Sequence, residues 1–417
     1  MFLSSIRLQN FKCFEDETIE LNVPTSNVPG SGLTILVGEN NSGKTTIFSA
    51  LTKLKDDAVV YSLERRNEQD ICITLVDSDG ATKSIKNIAG SANIEITGES
   101  RLSLNTIDIV KDNKFWVGNA GSRRLGYGDY RRQQNYGRES IDNKLASALI
   151  SVVSDDDLKQ RFDGLIKEVF PDFRDWTTDA DDPQTGVYIK YKVSENQYVK
   201  IDHSVGSGIL SVFRIVYAIV AEDTDKVLMI DEPEVYLHPL AQQNLLKVLE
   251  RESSRYQIVF TTHSPFMFRG VTDAARFVSL THHKVSGKSV SEVITGFVLP
   301  NGPTYGEVTY FVYNMPTSEF HTELYGHISY IHEQSGVGGW IDDFIQSSIG
   351  TERPDKRKQW MDGRKDCAAN PVTLQTFIRH SIHHPENTCT NADYSPIELS
   401  QSISEMVQMI RDLQVNP

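Results

Sequence analysis

Along the first hundred residues, apolar and polar positions alternate in the pattern that predicts β-strands with one buried face. The alternation runs from Ile6 to Phe14 and resumes at Ile19, which predicts a strand or a hairpin. Two further strands are predicted at 70–76 and 92–96, separated by glycine-containing turns. These elements together indicate a small β subdomain.

Three other runs are mainly apolar at every position instead of at alternate ones: 33–37, 227–230 and 258–260. Such strands are buried on both faces, and predicted helices separate them along the chain. Strands of this kind form largely parallel sheets that helices cover on both sides. The predicted fold class is therefore α/β, with a mixed, largely parallel sheet. Because ligands bind at the carboxyl ends of the strands in such sheets, the residues that follow the three runs are expected at one edge.

Between the β subdomain and the later buried strands, the apolar spacing becomes that of two helices. The acidic sequence Ser154–Asp157 predicts the start of the second helix, and Pro171 predicts its end. A hairpin is predicted at 186–202. We expect the two helices to form a lid over the edge of the sheet.

Beyond about residue 300 the apolar spacing is helical, which predicts a small C-terminal helical bundle. Ser395, Pro396 and Glu398 supply the N-cap, N1 proline and capping-box glutamate of its last helix. The predicted domains are 1–300, with its core in 1–50 and 200–300 and an insertion of β subdomain and helical lid at 51–199, and 301–417.

The composition limits the class of protein. The chain has 417 residues, of which 39% are hydrophobic and 24% charged, as in ordinary globular proteins. No apolar run reaches the roughly 18–20 residues that cross a bilayer, so no membrane partner is expected. The four cysteines are scattered, which predicts neither a zinc site nor a disulfide and favours a reduced, cytoplasmic protein. The net charge of −14 excludes a wholly basic nucleic-acid coat but leaves room for a local basic groove.

The residues after the first buried run fit the phosphate-binding pattern G-x-x-x-x-G-K-[ST], with a strand before it and a helix behind it. The glycines let backbone N–H groups turn onto phosphate oxygens, and the helix N-terminus adds positive potential. Lys44 is placed to reach the β- and γ-phosphates, and the Thr45 hydroxyl to bind Mg²⁺. The predicted ATP-binding residues of this loop are Gly38, Asn40, Asn41, Ser42, Gly43, Lys44, Thr45 and Thr46.

The ends of the other two runs carry further candidate chemistry. Asp231 ends the second run as a carboxylate suited to Mg²⁺, and the adjacent Glu232 is placed to deprotonate the attacking water. His263 follows the third run and is placed to touch the γ-phosphate. Before an apolar helix, Gly206–Gly208 offers a second phosphate-binding nest. The predicted catalytic residues are Lys44, Glu232 and His263; the metal ligands are Thr45 and Asp231; the further nucleotide contacts are Gly206, Ser207 and Gly208.

In its motif order the chain resembles the ABC-type P-loop ATPase heads of the structural-maintenance and RecF group, and it looks most similar to the compact OLD-like AAA ATPases of bacterial anti-phage systems. The resemblance covers residues 1 to about 300. It departs at the Q-loop, where no glutamine after the P-loop has a clear place and Gln69 is a weak candidate, and at Ile209, where the signature usually has a polar residue. The motifs that carry it are the opening strand Ile6–Phe14, Walker A at Gly38–Thr45, a degenerate signature at Val205–Gly208, Walker B and D-loop at Asp231–Pro239, and the switch-histidine loop at Thr262–Pro265.

The resemblance implies ATP and Mg²⁺ as cofactors and two heads that sandwich the nucleotide, with Ser207 acting in trans within a homodimer or a larger ring. No long heptad region lies between residues 50 and 200, so a coiled-coil tether is not predicted. The implied function is a sensor or scaffold ATPase of anti-phage defence. Such an ATPase holds or releases a separate, neighbour-encoded effector nuclease, as those of Septu, retron-linked and PARIS systems do.

Two other functions stay open. The sequence from Arg379 to His384 fits R-[NDH]-x-x-x-H, the pattern of HEPN-type ribonucleases, and would make the chain an ATP-gated RNase toxin. The alternative interpretation is a helix end whose cations favour the macrodipole. No D-x-D of a Toprim nuclease occurs beyond residue 280. The tyrosine-containing basic segment Arg123–Arg138 suits nucleic acid, as in a RecF-like DNA-repair ATPase, or is a solvated loop.

Overall fold

The computed structural model divides the chain into two compact units, 1–294 and 295–417. Each unit has its own hydrophobic core. The predicted segments Arg123–Arg138 and Val205–Gly206 lie outside the described residues. In the described part of the chain, no helix is long and apolar enough to cross a membrane. The residues that the structure describes are 2–55, 69–89, 94–100, 107–111, 114–116, 139–180, 187–195, 197–200, 207–221, 226–283, 285–294, 297–300, 303–349 and 358–415.

The first unit contains fifteen strands and five helices within the described ranges. In chain order they are β1 (Leu3–Phe11), β2 (Phe14–Glu20), β3 (Leu33–Gly38), α1 (Lys44–Lys55), β4 (Ile71–Asp77), β5 (Thr82–Asn87), β6 (Ile94–Gly98), β7 (Ile107–Lys111), β8 (Lys114–Trp116), α2 (Glu139–Val153), α3 (Asp156–Val169), β9 (Trp176–Ala180), β10 (Val187–Ser194), β11 (Gln197–Lys200), α4 (Ser207–Val220), β12 (Val227–Asp231), α5 (Pro239–Glu252), β13 (Gln257–Thr261), β14 (Arg276–His283) and β15 (Lys288–Ile294).

A seven-stranded sheet in the order β15-β14-β3-β13-β12-β7-β8 forms the centre of this unit. Its five inner strands are parallel, and its two edge strands are antiparallel to their neighbours. The three apolar runs of the sequence are its adjacent strands β3, β13 and β12. The predicted α/β class with a mixed, largely parallel sheet is therefore confirmed. The strand register places Leu36, Thr261 and Asp231 in one row across the sheet.

A second, antiparallel sheet in the order β2-β1-β4-β5-β6 forms the predicted β subdomain and includes the opening hairpin. Its buried face shares one apolar cluster with the central sheet and with Ile47, Phe48 and Leu51 of α1. The buried Gln257 side chain joins the two sheets, since its amide bonds both the N–H and the carbonyl of Leu3. The helix behind the P-loop is therefore packed against residues of both sheets.

The two helices predicted in the insertion are confirmed as α2 and α3. Asp155 caps α3 by accepting hydrogen bonds from the backbone N–H groups of Asp157 and Leu158. Phe162 of α3, Trp176 of β9 and Phe213 of α4 form an aromatic cluster with ring centroids 4.9–5.1 Å apart. The third sheet, β11-β10-β9, contains the predicted hairpin at 186–202.

The second unit contains five helices and one hairpin in its described part. In chain order they are α6 (Tyr305–Tyr313), α7 (Ser318–Gln334), α8 (Ile341–Ser348), β16 (Lys358–Asp362), β17 (Ala368–Val372), α9 (Leu374–His383) and α10 (Pro396–Val415). The sequence predicted helices only, because the hairpin strands are short and lack a clear apolar–polar alternation, and Pro371 lies within the second one. The helices pack around Phe320, Ile328, Phe377 and Ile403, which are all buried.

Cys367 and Cys389 form a disulfide with an Sγ–Sγ distance of 2.04 Å. The prediction that the cysteines make no disulfide was therefore wrong. The two residues are 22 positions apart, and only the hairpin turn and the loop after α9 bring them together. Cys13 and Cys72 are not part of a disulfide.

We expect the Cys367→Ser substitution to lower the free energy of unfolding of the second unit by about 3 kcal/mol, because the disulfide closes a loop of this length in the unfolded chain. Urea unfolding of the full chain, followed by the fluorescence of Trp360, measures the effect. Cys72→Ser, which removes a free thiol in the first unit, is the matched control. An equal loss in both variants would contradict the disulfide.

Candidate nucleotide-binding site

The P-loop connects the end of β3 at Gly38 to the start of α1 at Lys44. Three of its residues have a positive φ, namely Gly38 at 149°, Asn41 at 66° and Gly43 at 108°. The Gly43 carbonyl accepts the first hydrogen bond of α1 from the Thr46 N–H at 2.9 Å. The loop therefore curls at a helix N-terminus, where backbone N–H groups favour an anion.

The opening hairpin covers the loop at Gly43. A Cβ atom on this residue would lie 2.6 Å from Cζ of Phe14 and 2.9 Å from Sγ of Cys13. These distances are shorter than van der Waals contact, and the positive φ adds backbone strain. Only glycine fits this position without a shift of its neighbours.

We expect Gly43→Ala to lower the free energy of unfolding of the first unit by about 1–3 kcal/mol, because an added methyl group overpacks the contact with Phe14. Gly164 of α3 is the matched control, since no atom lies within 4 Å of its added Cβ. Gly164→Ala is expected to stabilise the helix by up to about 1 kcal/mol. Denaturant unfolding of the two variants gives both values, and equal effects would contradict this packing argument.

The Lys44 side chain turns back over the loop and is only 5% exposed. Its Nζ donates to the carbonyls of Gly38 at 2.8 Å and Glu39 at 2.9 Å. Burial lowers the pKa of Lys44 to about 8, against the opposing charges of Glu232, Asp231 and Glu234. These carboxylates of the β12 end therefore lie close enough to Lys44 to act on its charge.

The depressed pKa of Lys44 predicts that nucleotide affinity falls as the pH rises above about 8. In the free protein the Lys44 ammonium loses its proton near pH 8, because its pKa is well below the usual value of 10.5. Bound phosphates favour the charged form, so binding takes up a proton, and the affinity falls by at most about tenfold per pH unit. Calorimetric titration in two buffers of different ionisation enthalpy measures the proton uptake. No uptake between pH 8 and 9 would contradict this assignment.

The end of β12 and the end of β13 are tied together by side-chain hydrogen bonds. The Thr261 hydroxyl donates to Oδ1 of Asp231 at 2.7 Å. The N–H of Glu232 donates to Oγ1 of Thr261 at 3.0 Å, with Glu232 in the left-handed conformation at φ 50°. Sequence reasoning did not select Thr261, because its role depends on the pairing of the two strands. Thr261 holds the carboxylate that was predicted to bind metal.

Glu232 and His263 face each other at the open side of this edge. The distance from Nε2 of His263 to Oε1 of Glu232 is 3.5 Å, and both side chains are about one-third to two-fifths exposed. Burial lowers the pKa of His263, the Lys44 charge lowers it further, and Asp231 opposes the shift. The imidazole is therefore neutral near pH 7 and can donate or accept a proton at Nε2.

Ser207 and Gly208 begin α4 and lie next to the segment that follows Glu232. A Cβ atom on Gly208 would lie 2.6 Å from the carbonyl oxygen of Tyr236 and 3.1 Å from Cδ2 of Leu237. The start of α4 therefore approaches this backbone more closely than any larger residue would permit. Gly206 lies outside the described residues. Gln69, the Q-loop candidate, is exposed.

The residues at this edge fit a nucleotide with Mg²⁺. Thr45 is exposed in the first turn of α1, and Asp231 lies at the strand end across β13. Hydroxyl and carboxylate oxygens are the ligands that Mg²⁺ accepts, together with water and phosphate oxygens. Within the described ranges no group of three or more His, Cys, Asp or Glu residues could hold a metal ion by itself.

The predicted RNase residues, Arg379 and His384, each contact a different side chain. The guanidinium of Arg379 on α9 lies 5.8 Å from the ring centroid of Tyr325. His384 is the C-cap of α9, and its Nδ1 lies 2.9 Å from Oε1 of Glu386. Burial lowers the pKa of His380, and the charges of His384 and Arg379 lower it further. Arg379 and His384 thus both act on His380, although each contacts a partner of its own.

A family model described as "AAA domain, putative AbiEii toxin, Type IV TA system" matches residues 33–268. The match begins with β3 and extends past the His263 loop. Among curated proteins, "Uncharacterized protein MJECL43" of Methanocaldococcus jannaschii is 46% identical over 46 residues. That alignment covers 11% of this chain and 12% of the relative, so the chain matches only a small part of the relative's length.

Solved structures of SMC head domains show similarity to this chain. The head bound to the C-winged helix domain of ScpA has a TM-score of 0.48 at 11% identity, over 71% of this chain and 98% of that chain. A head with an extended coiled coil, bound to the C-terminal domain of ScpA derived from Pyrococcus furiosus, has a TM-score of 0.47 at 14% identity over 70% and 96%. The head from Thermotoga maritima has a TM-score of 0.40 at 16% identity over 71% and 100%.

Proposed function

The chain belongs to the AAA-domain family whose model spans the P-loop and the His263 loop, and from this premise we propose that it binds and hydrolyses ATP with Mg²⁺. The observation that carries the proposal is the convergence of four side chains at one sheet edge. Lys44 follows β3, Asp231 ends β12 with Glu232 directly after it, and His263 follows β13, the strand between them. The electrostatic interactions among these side chains support a single site.

Each side chain has a task in this proposal. Lys44 binds the β- and γ-phosphates in place of the two carbonyls that it now contacts. Thr45 and Asp231 hold Mg²⁺, which neutralises phosphate charge when it is bound. Glu232 accepts a proton from the attacking water, and the neutral His263 contacts the γ-phosphate. Lys44 and Thr45 have their tasks at the start of α1, and the other residues have theirs at the ends of β12 and β13.

We further propose that the ATP cycle controls a partner in a bacterial anti-phage or toxin–antitoxin response. The family description mentions a type IV toxin–antitoxin system, and the motif order resembles that of OLD-like defence ATPases. Two copies would face each other across the nucleotide, with Ser207 of one copy near the P-loop of the other. The controlled partner would be a neighbour-encoded nuclease in the cytoplasm.

Steady-state ATP hydrolysis by the purified full chain, with and without Mg²⁺, tests the enzymatic part of the proposal. We expect turnover that requires the metal. Size-exclusion chromatography with light scattering tests assembly, for which ATP is expected to increase the mass of the Glu232→Gln variant. Co-purification of the neighbouring gene product tests the partner. A chain that binds no nucleotide would refute the proposal.

A second candidate function is ATP-gated RNA cleavage by Arg379 and His384. What supports it is the fit to R-[NDH]-x-x-x-H, with Arg379 on α9 and His384 at the C-cap of the same helix. Incubation of total cellular RNA with the full chain, with and without ATP and Mg²⁺, tests it beside His384→Ala. Cleavage that is lost in the variant, while ATP hydrolysis persists, would make the chain its own effector. Intact RNA would leave a separate nuclease as the effector.

A further inference from the structure

Glu234 lies at the same site, but neither the predicted phosphate contact of Lys44 nor the predicted metal ligands give it a role. Its Oε1 accepts a hydrogen bond from the Thr262 hydroxyl at 2.7 Å and from the His263 N–H at 2.8 Å. Both donors belong to the loop after β13, whereas Glu234 lies after β12. Its Oε2 is buried and forms no hydrogen bond within the described part of the chain.

A half-buried carboxylate with one buried, unsatisfied oxygen is costly, so its position needs a reason. Burial raises the pKa of Glu234, and the hydrogen bonds from His263 and Thr262 oppose that rise. A surface residue at this point would avoid the penalty. At this position the carboxylate connects the segment after β12 to the loop after β13 through two hydrogen bonds.

The connection determines where His263 points. Glu234 holds the backbone N–H of His263, while Glu232 lies 3.5 Å from the Nε2 atom of its ring. The Thr262 hydroxyl that donates to Glu234 also accepts a hydrogen bond from the Ser264 N–H at 2.9 Å. Three consecutive residues of the loop are therefore held by Glu234, directly or through Thr262.

On its other side, Glu234 leads into a tight turn toward α4. Its carbonyl accepts a hydrogen bond from the Leu237 N–H at 2.9 Å. Tyr236 within this turn has φ 66° and is 66% exposed. The Tyr236 carbonyl is the atom that leaves no room for a side chain at Gly208. A movement of Glu234 would therefore be passed on to the start of α4.

We propose that Glu234 is a positioning residue that couples the His263 loop to the Tyr236–Leu237 turn and to the start of α4. In this arrangement, when a bound γ-phosphate displaces His263, the Glu234 carboxylate moves with the loop and shifts the Tyr236–Leu237 turn. This proposal rests on the proposed ATPase function. It adds a route from the phosphate contact to an exposed surface, where a second copy of the chain would sense the nucleotide.

A double-mutant cycle tests whether Glu234 acts through His263. We expect Glu234→Ala to lower kcat for ATP by about 10²-fold, as for a misplaced catalytic group, with KM changed by less than about threefold. In a His263→Ala background the same substitution is expected to have almost no further effect. An equal loss of kcat in both backgrounds would overturn the proposal, because Glu234 would then act independently of His263.

Conservative variants separate the hydrogen-bond acceptor from the charge. Glu234→Gln keeps an acceptor oxygen at the position of Oε1 and is expected to restore kcat to within about threefold of the wild type. If it is as slow as Glu234→Ala, acceptor-based positioning is overturned. Should Glu234→Ala fail to fold, Thr262→Val removes one of the two donors and is expected to lower kcat several-fold. An unchanged kcat would then count against the proposal.

Glu250 offers a matched control in the same unit. Its Oε1 accepts a hydrogen bond from the Thr272 N–H at 2.7 Å, and neither residue belongs to the nucleotide site. Glu250→Ala removes a comparable carboxylate-to-backbone bond and is expected to leave kcat unchanged. A loss of kcat equal to that of Glu234→Ala would show that general destabilisation explains both variants.

Hydrogen exchange separates this proposal from the proposed function. If neither wild type nor Lys44→Ala hydrolyses ATP, the ATPase function fails, and exchange still tests the coupling. Glu234→Ala is expected to speed the exchange of the His263 amide by about tenfold or more, because its acceptor is lost. The amides of 236–238 and the first turn of α4 should also exchange faster. Unchanged exchange at 236–238 would overturn the coupling.

Discussion

Lys44→Ala is expected to weaken ATP binding by about 100-fold or more, because hydrogen bonds to a charged partner contribute roughly 1.5–3 kcal/mol each and Lys44 can form more than one to the phosphates. Its Nζ now contacts two loop carbonyls, which marks the space where phosphate oxygens would bind. Because these contacts also close the loop, the variant should lose some stability as well. Titration with a fluorescent ATP analogue gives the affinity.

Lys12→Ala is the matched control for that experiment. Lys12 is exposed, and its Nζ donates to Oγ of Ser49 on α1 at 3.0 Å, so the variant removes one positive charge near the same helix without touching the loop. We expect its affinity to stay within about threefold of the wild type, as for a screened surface charge. Wild-type affinity in Lys44→Ala would refute the P-loop assignment.

Glu232→Gln is expected to bind ATP normally and to hydrolyse it about 10²–10⁴-fold more slowly, which is the range that general-base catalysis contributes. The amide keeps the size of the side chain and its contact with His263 but cannot accept a proton from water. ATP should therefore remain bound, and the assembled form should accumulate. Single-turnover hydrolysis of radiolabelled ATP separates the chemical step from product release.

Glu168→Gln serves as the control for the loss of one carboxylate. Glu168 lies at the surface of α3, where its carboxylate pairs with Arg251 outside the nucleotide site. Its single-turnover rate should equal that of the wild type. Undiminished hydrolysis by Glu232→Gln would remove Glu232 from the role of base and leave another group to activate the water.

The central sheet could be predicted from the sequence because the features that indicate it are close together along the chain. The runs that became β3, β12 and β13 are apolar at nearly every position, and the chemistry follows each run within a few residues. Parallel strands then require that these ends meet at one edge. The placement of Lys44, Asp231 and His263 therefore needed no knowledge of tertiary contacts.

The missed features depend on contacts between distant parts of the chain. Thr261 and Glu234 matter only because β12 pairs with β13. The Cys367–Cys389 disulfide depends on a hairpin whose short strands have no clear apolar–polar periodicity. Interactions of this kind are set by strand pairing and loop geometry, which a single sequence encodes only weakly. The pairing of Arg379 with His384, inferred from spacing along one helix, stays a prediction.

The shared packing of α1 against two sheets has a practical consequence for protein production. A fragment limited to the family-model span, 33–268, would keep the motifs from Walker A to the switch-histidine loop but would omit β1, β2, β14 and β15. It would then lack Phe14, which covers the P-loop at Gly43, as well as Leu3, the partner of the buried Gln257. The boundaries of the motif region are therefore not those of a folding unit. A truncation designed from the motifs alone would expose the inner face of α1 to solvent.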